Sequence, residues 1–241
     1  MLCAANTPNA AGLKLSGDFL DFQELYDALH ELVGEEGDHP GLDGAQIRVL
    51  GLCYDIRHAL MGDREAEFVE NGMDEEIRKN LGILAPLQNI YLTMNTAWPE
   101  MLFIVAALSQ FIRLRGRSKQ CKYPEWDHTI QTVKKLQALV AKCLVEILSP
   151  NAYARLMKVL SQEYLYFELY TSQYLDLLNC RYFKMDREKR LKNLSLIGKN
   201  IVEKPQEYYE ITEVVESAAR QHNCTRDNIR LKEEYPENIE W

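Results

Sequence analysis

Five ionisable side chains fall close together in one stretch of this chain: Arg48, Asp55, Arg57, His58 and Arg64. On a helix, Asp55 and His58 are three residues apart and can touch. An acid beside an imidazole can orient it or take its proton. Guanidinium groups recognise phosphate and carboxylate through paired hydrogen bonds. One chemistry for the set is therefore hydrolysis of a phosphorylated substrate by a hydrolase or nuclease. His58 would be the acid–base group and Asp55 its partner. Arg48 and Arg57 would clamp the anion, with Arg64 as a further anion ligand. The same residue types also build structural salt-bridge networks, because charges in apolar surroundings must pair. In that reading Asp55 simply holds Arg48 or His58, and the spacing leaves both readings open.

The element that must position these groups is a helix over residues 43–61. At about 100° per residue, Val49, Cys53, Ile56 and Leu60 form one apolar stripe, and Ile47, Tyr54 and Met61 form a second. Gln46 and Arg57 lie between them. Arg48 and Asp55 share the remaining side, with His58 at its edge. Two apolar faces predict a helix enclosed by its neighbours. Before it, alternation at Leu13 and Leu15 predicts an N-terminal hairpin. A helix over 21–33 follows, with Asp18 or Asp21 at its start and Gly34 at its end. Residues 64–70 read as a strand running into a tight Asn71-Gly72 turn, 76–84 as a weak helix and 89–94 as a strand.

From Thr96 the pattern turns helical. Pro99 suits a first turn, and the apolar spacing runs on to Arg115. The stripe Ile130, Val133, Leu136, Val140, Leu144 and Ile147 predicts a second long helix. A third begins at Ser149-Pro150 and carries Tyr153, Leu156, Leu160, Tyr164, Phe167, Tyr170 and Tyr174 towards Tyr182. Helices over 186–202 and 206–221 follow, and Ile229-Arg-Leu231 alternates like a strand that could return to the N-terminal sheet. The fold class is α+β: a small N-terminal antiparallel sheet with two packed helices, then a mainly α-helical array. The composition shifts near residue 95, giving parts 1–95 and 96–241 or one continuous domain, since no proline- or serine-rich linker intervenes.

A net charge of −8 repels nucleic acid and anionic membranes over most of the surface. The basic runs Arg113–Lys122 and Arg181–Arg190 are exceptions. The first complements a helix C-terminus, and the second, mixed with acids, reads as a solvated face. Six scattered cysteines include no C-x-x-C pair, so reduced thiols and a cytoplasmic location are expected. The N-terminus lacks the basic-then-apolar order of a signal peptide. The longest apolar run, Met101 to Leu108, is far short of the ~20 residues of a membrane span.

Acid-x-x-His pairs occur at Asp27–His30, Asp55–His58 and Glu125–His128, a spacing that bundles use for metals. His30 sits at the edge of an apolar face, and Glu125 and His128 lie in a first turn where an acid is expected anyway, so no metal site is expected. Walker A, Gly-x-Gly-x-x-Gly and Gly-x-Ser-x-Gly patterns do not occur, so no cofactor and no serine nucleophile are implied.

The segments Gly17-Asp-Phe-Leu-Asp-Phe-Gln-Glu-Leu-Tyr26 and Tyr54-Asp-Ile-Arg-His58 resemble an uncharacterised bacterial family, a domain of unknown function, over residues 10–75. The resemblance implies a shared fold and no particular activity. Tyrosine-rich faces suit interfaces. The leading expectation is therefore a cytoplasmic protein-interaction or regulatory role, with a protein partner or second copy docking on the helical half.

Overall fold

The computed structural model describes every residue except Glu36 and Gln120. Strands β1 (Cys3–Asn6) and β2 (Gly12–Gly17) form the expected hairpin. β3 (Ala66–Glu70) and β4 (Gln88–Ala97) complete an antiparallel sheet of order β1-β2-β4-β3. The register sets Leu15 opposite Met94, and the period-two alternation sends Leu13, Leu15 and Met94 into the core.

Helix α1 (Phe19–Val33) starts from a reciprocal capping box. Asp18 accepts from the Asp21 N–H, Asp21 accepts from the Asp18 N–H, and Gly34 ends the helix. Helix α2 (Asp43–Leu60) packs along it. Its Gln46 side chain is buried and donates to the carbonyls of Val33 and Gly34, which takes up orphan acceptors at the end of α1. α2 is not the enclosed helix its two apolar stripes predicted. Val49, Cys53 and Ile56 are buried, but Ile47, Tyr54 and Met61 stand exposed.

The enclosed helix is α4 (Trp98–Arg117), which begins where β4 ends. Every residue from Met101 to Leu108 is buried, so the longest apolar run in the chain is the axis of the molecule. Against it pack α5 (His128–Ile147), α7 (Ser172–Phe183) and α8 (Arg187–Glu203), with α6 (Pro150–Leu160) on α8 and α9 (Gln206–His222) on α7. One core runs from Leu2 through α4 to Tyr208, and residue 95 falls inside β4. Together, the small antiparallel sheet and the helical array form an α+β fold.

Three local expectations change. Asn71-Gly72 does not close a two-residue hairpin, because Glu70 pairs with Gln88 and α3 (Glu75–Leu81) lies between. Instead the Asn71 side chain ties the two ends of this excursion, accepting from Met73 N–H and donating to the Pro86 carbonyl.

The single long helix from Ser149 to Tyr182 is two helices, α6 and α7, joined by an irregular segment. There Leu165 and Phe167 are buried while Tyr164, Tyr166 and Glu168 are exposed, a period of two. Its backbone finds tertiary partners in place of helical ones. Gln110 accepts from Phe167 N–H, and Arg113 donates to the Glu163 carbonyl.

Residues 229–231 form no strand. The Ile229 carbonyl is taken by Gln173, and the segment passes over a cleft instead of joining a sheet edge.

The densest set of exposed apolar side chains lies on the β3–α3–β4 arm, including Phe68, Leu81, Leu84 and Ile90, in the N-terminal part of the chain. No helix among the described residues is long and apolar enough to cross a membrane.

Candidate functional site

Two helices turn stripes of the same spacing towards each other. α2 presents Gly44, Arg48, Gly51 and Asp55, and α7 presents Ser172, Asp176, Asn179 and Phe183. Positions i, i+4, i+7 and i+11 share one helical face. Gly51 leaves the α2 side open, since a Cβ built there meets nothing within 4 Å, whereas one on Gly44 would lie 3.0 Å from the Tyr170 carbonyl oxygen. The end of β4 and the first turns of α4 form the floor, and the C-terminal tail crosses above. The cleft is open to solvent and has a volume of about 910 Å³.

Arg48 reaches into this cleft. Its guanidinium lies 2.8 Å from Asp176 Oδ1 and 3.4 Å from Glu100 Oε2, and it donates to the Ser172 carbonyl at 2.9 Å. Arg48 and Glu100 are only 17% and 18% exposed. Burial pushes the Glu100 carboxyl above the usual carboxylate range, and Arg48 and Asn179 oppose that rise. Burial alone would depress Arg48, but Glu100 and Asp176 hold it above its ordinary value. Asn179 Nδ2 donates to Glu100 at 2.7 Å and to the Tyr235 hydroxyl at 3.2 Å. That hydroxyl in turn donates to Asp176 at 3.2 Å. Two carboxylates therefore share one guanidinium inside a small polar network, closed from above by a tyrosine of the tail.

The tail is strapped at both ends. Gln173 donates to the carbonyls of Arg226 and Ile229 where the tail begins. At the far end, Asn9 N–H donates to the Trp241 carbonyl and Arg190 donates to the Glu240 carbonyl. Ile239 and Trp241 pack with Ala11, Ala97 and Phe183.

The five candidates of the α2 stretch go to three places. Arg48 enters the cleft. Asp55 stands at its rim, paired with Arg64 at 2.5 Å. His58 and Arg57 face away: His58 Nδ1 lies 2.9 Å from Asp63, and Arg57 lies over the Tyr54 ring, 5.3 Å from its centroid. Asp55 and His58 are joined by neither an ion pair nor a hydrogen bond, because Gly62, at φ +85°, turns the chain so that Asp63 and Arg64 reach back to take one each. The three arginines do not converge. Asp55 and Arg64 are 38% and 40% exposed. Asp55→Ala is therefore expected to change stability by less than about 1 kcal/mol, read as a shift in urea midpoint at constant slope.

Glu100, Asp176, Asn179 and Tyr235 escaped the sequence reading. Glu100 looked like an ordinary first-turn acid before an apolar run. Asp176 and Asn179 lay in a segment whose tyrosines suggested core. The available signal was the polar stripe Ser172, Asp176, Asn179, which matches the stripe on α2.

The basic runs are also taken up internally. Arg115 is held by Asp127 and Glu31, and buried Arg190 donates to four backbone carbonyls. Among the described residues, no group of three or more His, Cys, Asp or Glu side chains is placed to hold a metal ion.

Asn95, Thr96, Gln173 and Asn179 line this cleft, and their side-chain oxygens, which receive no hydrogen bond from the protein, are buried away from its open space. Buried polar atoms without partners are uncommon in folded proteins. Among known proteins, the model of a family described as "Domain of unknown function (DUF6904)" matches residues 2–241, well beyond the segment 10–75 that carried the resemblance. No curated protein and no solved structure matches.

Proposed function

The chain belongs to that family, whose description names no activity, and we propose from its geometry that it is a cytoplasmic regulatory protein with a ligand site in the cleft beneath the C-terminal tail. The carrying observation is the cleft of about 910 Å³ between α2 and α7, in which Arg48, Glu100, Asp176 and Asn179 form one polar network under Tyr235 of the tail. That volume is within the range of small-molecule sites. The tail is the responding element, since its Tyr235 touches the same network that a ligand would meet. A closed tail covers Phe183, Ile239 and Trp241, an open one exposes them, and a partner protein would read that difference. Support for the cytoplasm comes from six unpaired cysteines, among them Cys53, whose thiol is pushed up to about 12 by burial. Hydrolysis of a phosphorylated substrate draws less support, because Arg48 is committed to two carboxylates and His58 faces Asp63.

Native mass spectrometry of the full chain from its producing cells should show a bound small molecule. Hydrogen exchange at 229–241 should be slower with that molecule in place. Gly51→Leu fills the open side of the cleft, leaves the charges alone and improves helix propensity. It should keep the fold and lose the ligand. A chain that carries nothing, and whose tail exchanges at one rate whatever is added, would end this reading.

A further inference from the structure

The apolar side of the sheet runs further than the body that covers it. Along β4, Met94 is buried, Leu92 is half-buried and Ile90 is 56% exposed, all on one face by the period of two. Ile90 lies opposite Phe68 of β3, which is 71% exposed. β3 is an edge strand, paired with β4 alone. The other edge, β1, is covered by α5, where the Cys143 carbonyl accepts from the Asn6 side chain. On β3, the Glu65 carbonyl accepts from Thr93 N–H of β4. Such bonds alternate along an antiparallel pair, so Glu65, Glu67 and Val69 bond inward. The N–H and C=O groups of Ala66, Phe68 and Glu70 point outward, and no backbone partner among the described residues reaches them.

Charge normally blunts an exposed edge, and β3 carries three acids, but one alignment brings none of them together. With β3 antiparallel to a copy of itself about Phe68, Phe68 meets Phe68, Ala66 meets Glu70 and Glu67 meets Val69. A shift of two residues one way sets Glu67 on Glu67, and the other way sets Phe68 on Glu70. Glu67 and Glu70 are already tied within their own copy, to Lys14 Nζ at 2.5 Å and to Gln88 Nε2 at 2.6 Å. Across the join, Ile90, Phe68 and their two counterparts form one apolar row, the kind of cross-strand contact that stabilises antiparallel sheets. We propose that β3 is a dimerisation strand: two copies join their sheets edge to edge across a two-fold axis at Phe68. The pairing is isologous and closes at two, so it consumes the edge and does not propagate.

Sedimentation equilibrium tests this on the full chain, at about 0.15 M salt to screen the net charge of −8 on each copy. It should give twice the mass of one chain at micromolar concentration. Amide exchange resolved by residue should slow at Ala66, Phe68 and Glu70 as concentration rises, while Glu67 and Val69, bonded within the monomer, change little. Two variants break the join by different routes. Phe68→Lys, at an exposed position, sets ammonium against ammonium on the axis. Ala66→Pro removes an outward N–H and spares the bonds between β3 and β4. Each should weaken dimerisation by about tenfold or more, with circular dichroism of the diluted chain unchanged. A chain monomeric at every concentration would overturn the proposal, as would a dimer untouched by both variants. A dimer lost in Phe68→Lys whose three outward amides exchange as fast as in the monomer would mean that apolar faces meet without strand pairing, and the proposal would fall. A last arm adds an alternating lysine–valine peptide. If it slowed those three amides in a chain that never dimerises, the edge would belong to a basic strand of another protein, and the second copy would be overturned.

Discussion

Arg190→Met is expected to lower the melting temperature by about 10 °C, following from a loss of about 3–5 kcal/mol in a chain of this length. Arg190 is buried and has no carboxylate beside it. Its guanidinium donates instead to the carbonyls of Tyr182, Phe183, Asn9 and Glu240 at 2.9–3.2 Å. The first two belong to the last turn of α7, where orphan carbonyls make the negative end of the helix dipole. The other two belong to the β1–β2 turn and the tail. Methionine keeps much of the stem's volume and abandons all four acceptors, of which those of Tyr182 and Phe183 are buried and those of Asn9 and Glu240 half-buried. Lysine keeps the charge without the planar fork that reaches several acceptors at once, so Arg190→Lys should fall between. Calorimetry of the two variants checks the order, and a melting temperature unchanged by methionine would show that the four contacts add nothing.

Arg48→Met should cost about as much at neutral pH, roughly 3–5 kcal/mol, because it leaves the poorly exposed Glu100 carboxyl facing Asp176 without the guanidinium between them. The pH dependence is the sharper signature. Glu100 has a folded-state pKa raised above its unfolded value of 4.5. The native state therefore holds a proton that the unfolded chain releases, and Glu100's contribution is fully favourable below the unfolded value. It is lost as pH rises through the folded value. Removing Arg48 takes away what opposes the rise, so the gap between wild type and variant should be small near pH 4 and widen towards pH 7. Other carboxylates behave in the opposite sense: Glu31 and Asp127, held low by hydrogen bonds and by Arg115, lose stability on acidification. They do so equally in both proteins and cancel in the difference. Glu100→Gln in the Arg48→Met background should recover most of the loss at pH 7. A gap that is constant across this range would mean that Glu100 is not the residue left exposed to the change.

Local chemistry explains how much of this was readable beforehand. The caps, the alternation in β2 and the apolar stripe of α5 depend on neighbours a few residues away, and each folds as its pattern predicts. The placement of Arg48 and Asp55 along one cleft follows from seven-residue spacing alone. Their partners do not. Glu100, Asp176 and Tyr235 come from remote segments, and nothing local distinguishes Asp63 from Asp55 as the acid that His58 meets. The α6–α7 break is a related case. Residues 161–171 contain neither glycine nor proline, and tertiary partners on α4, at Gly41, at Tyr208 and at Arg226 draw the backbone out of helix. The second apolar stripe of α2 misled because hydrophobic spacing reports which faces could be covered, not whether a neighbour arrives to cover them.

The clamp on the β1–β2 turn has a kinetic consequence. Tyr182 donates to the Ala10 carbonyl across 172 positions of chain, and Arg190 to that of Asn9 across 181. Contacts so remote in sequence form only after large loops have closed, and chains that depend on them fold slowly compared with bundles of neighbouring helices. The hairpin therefore waits, half finished, for α7 and α8. Until they dock, the turn lacks both clamps, although α1, α2, α4 and α5 already cover the apolar side of the sheet beside it. Late closure of this turn, more than native-state fragility, is what the topology builds in.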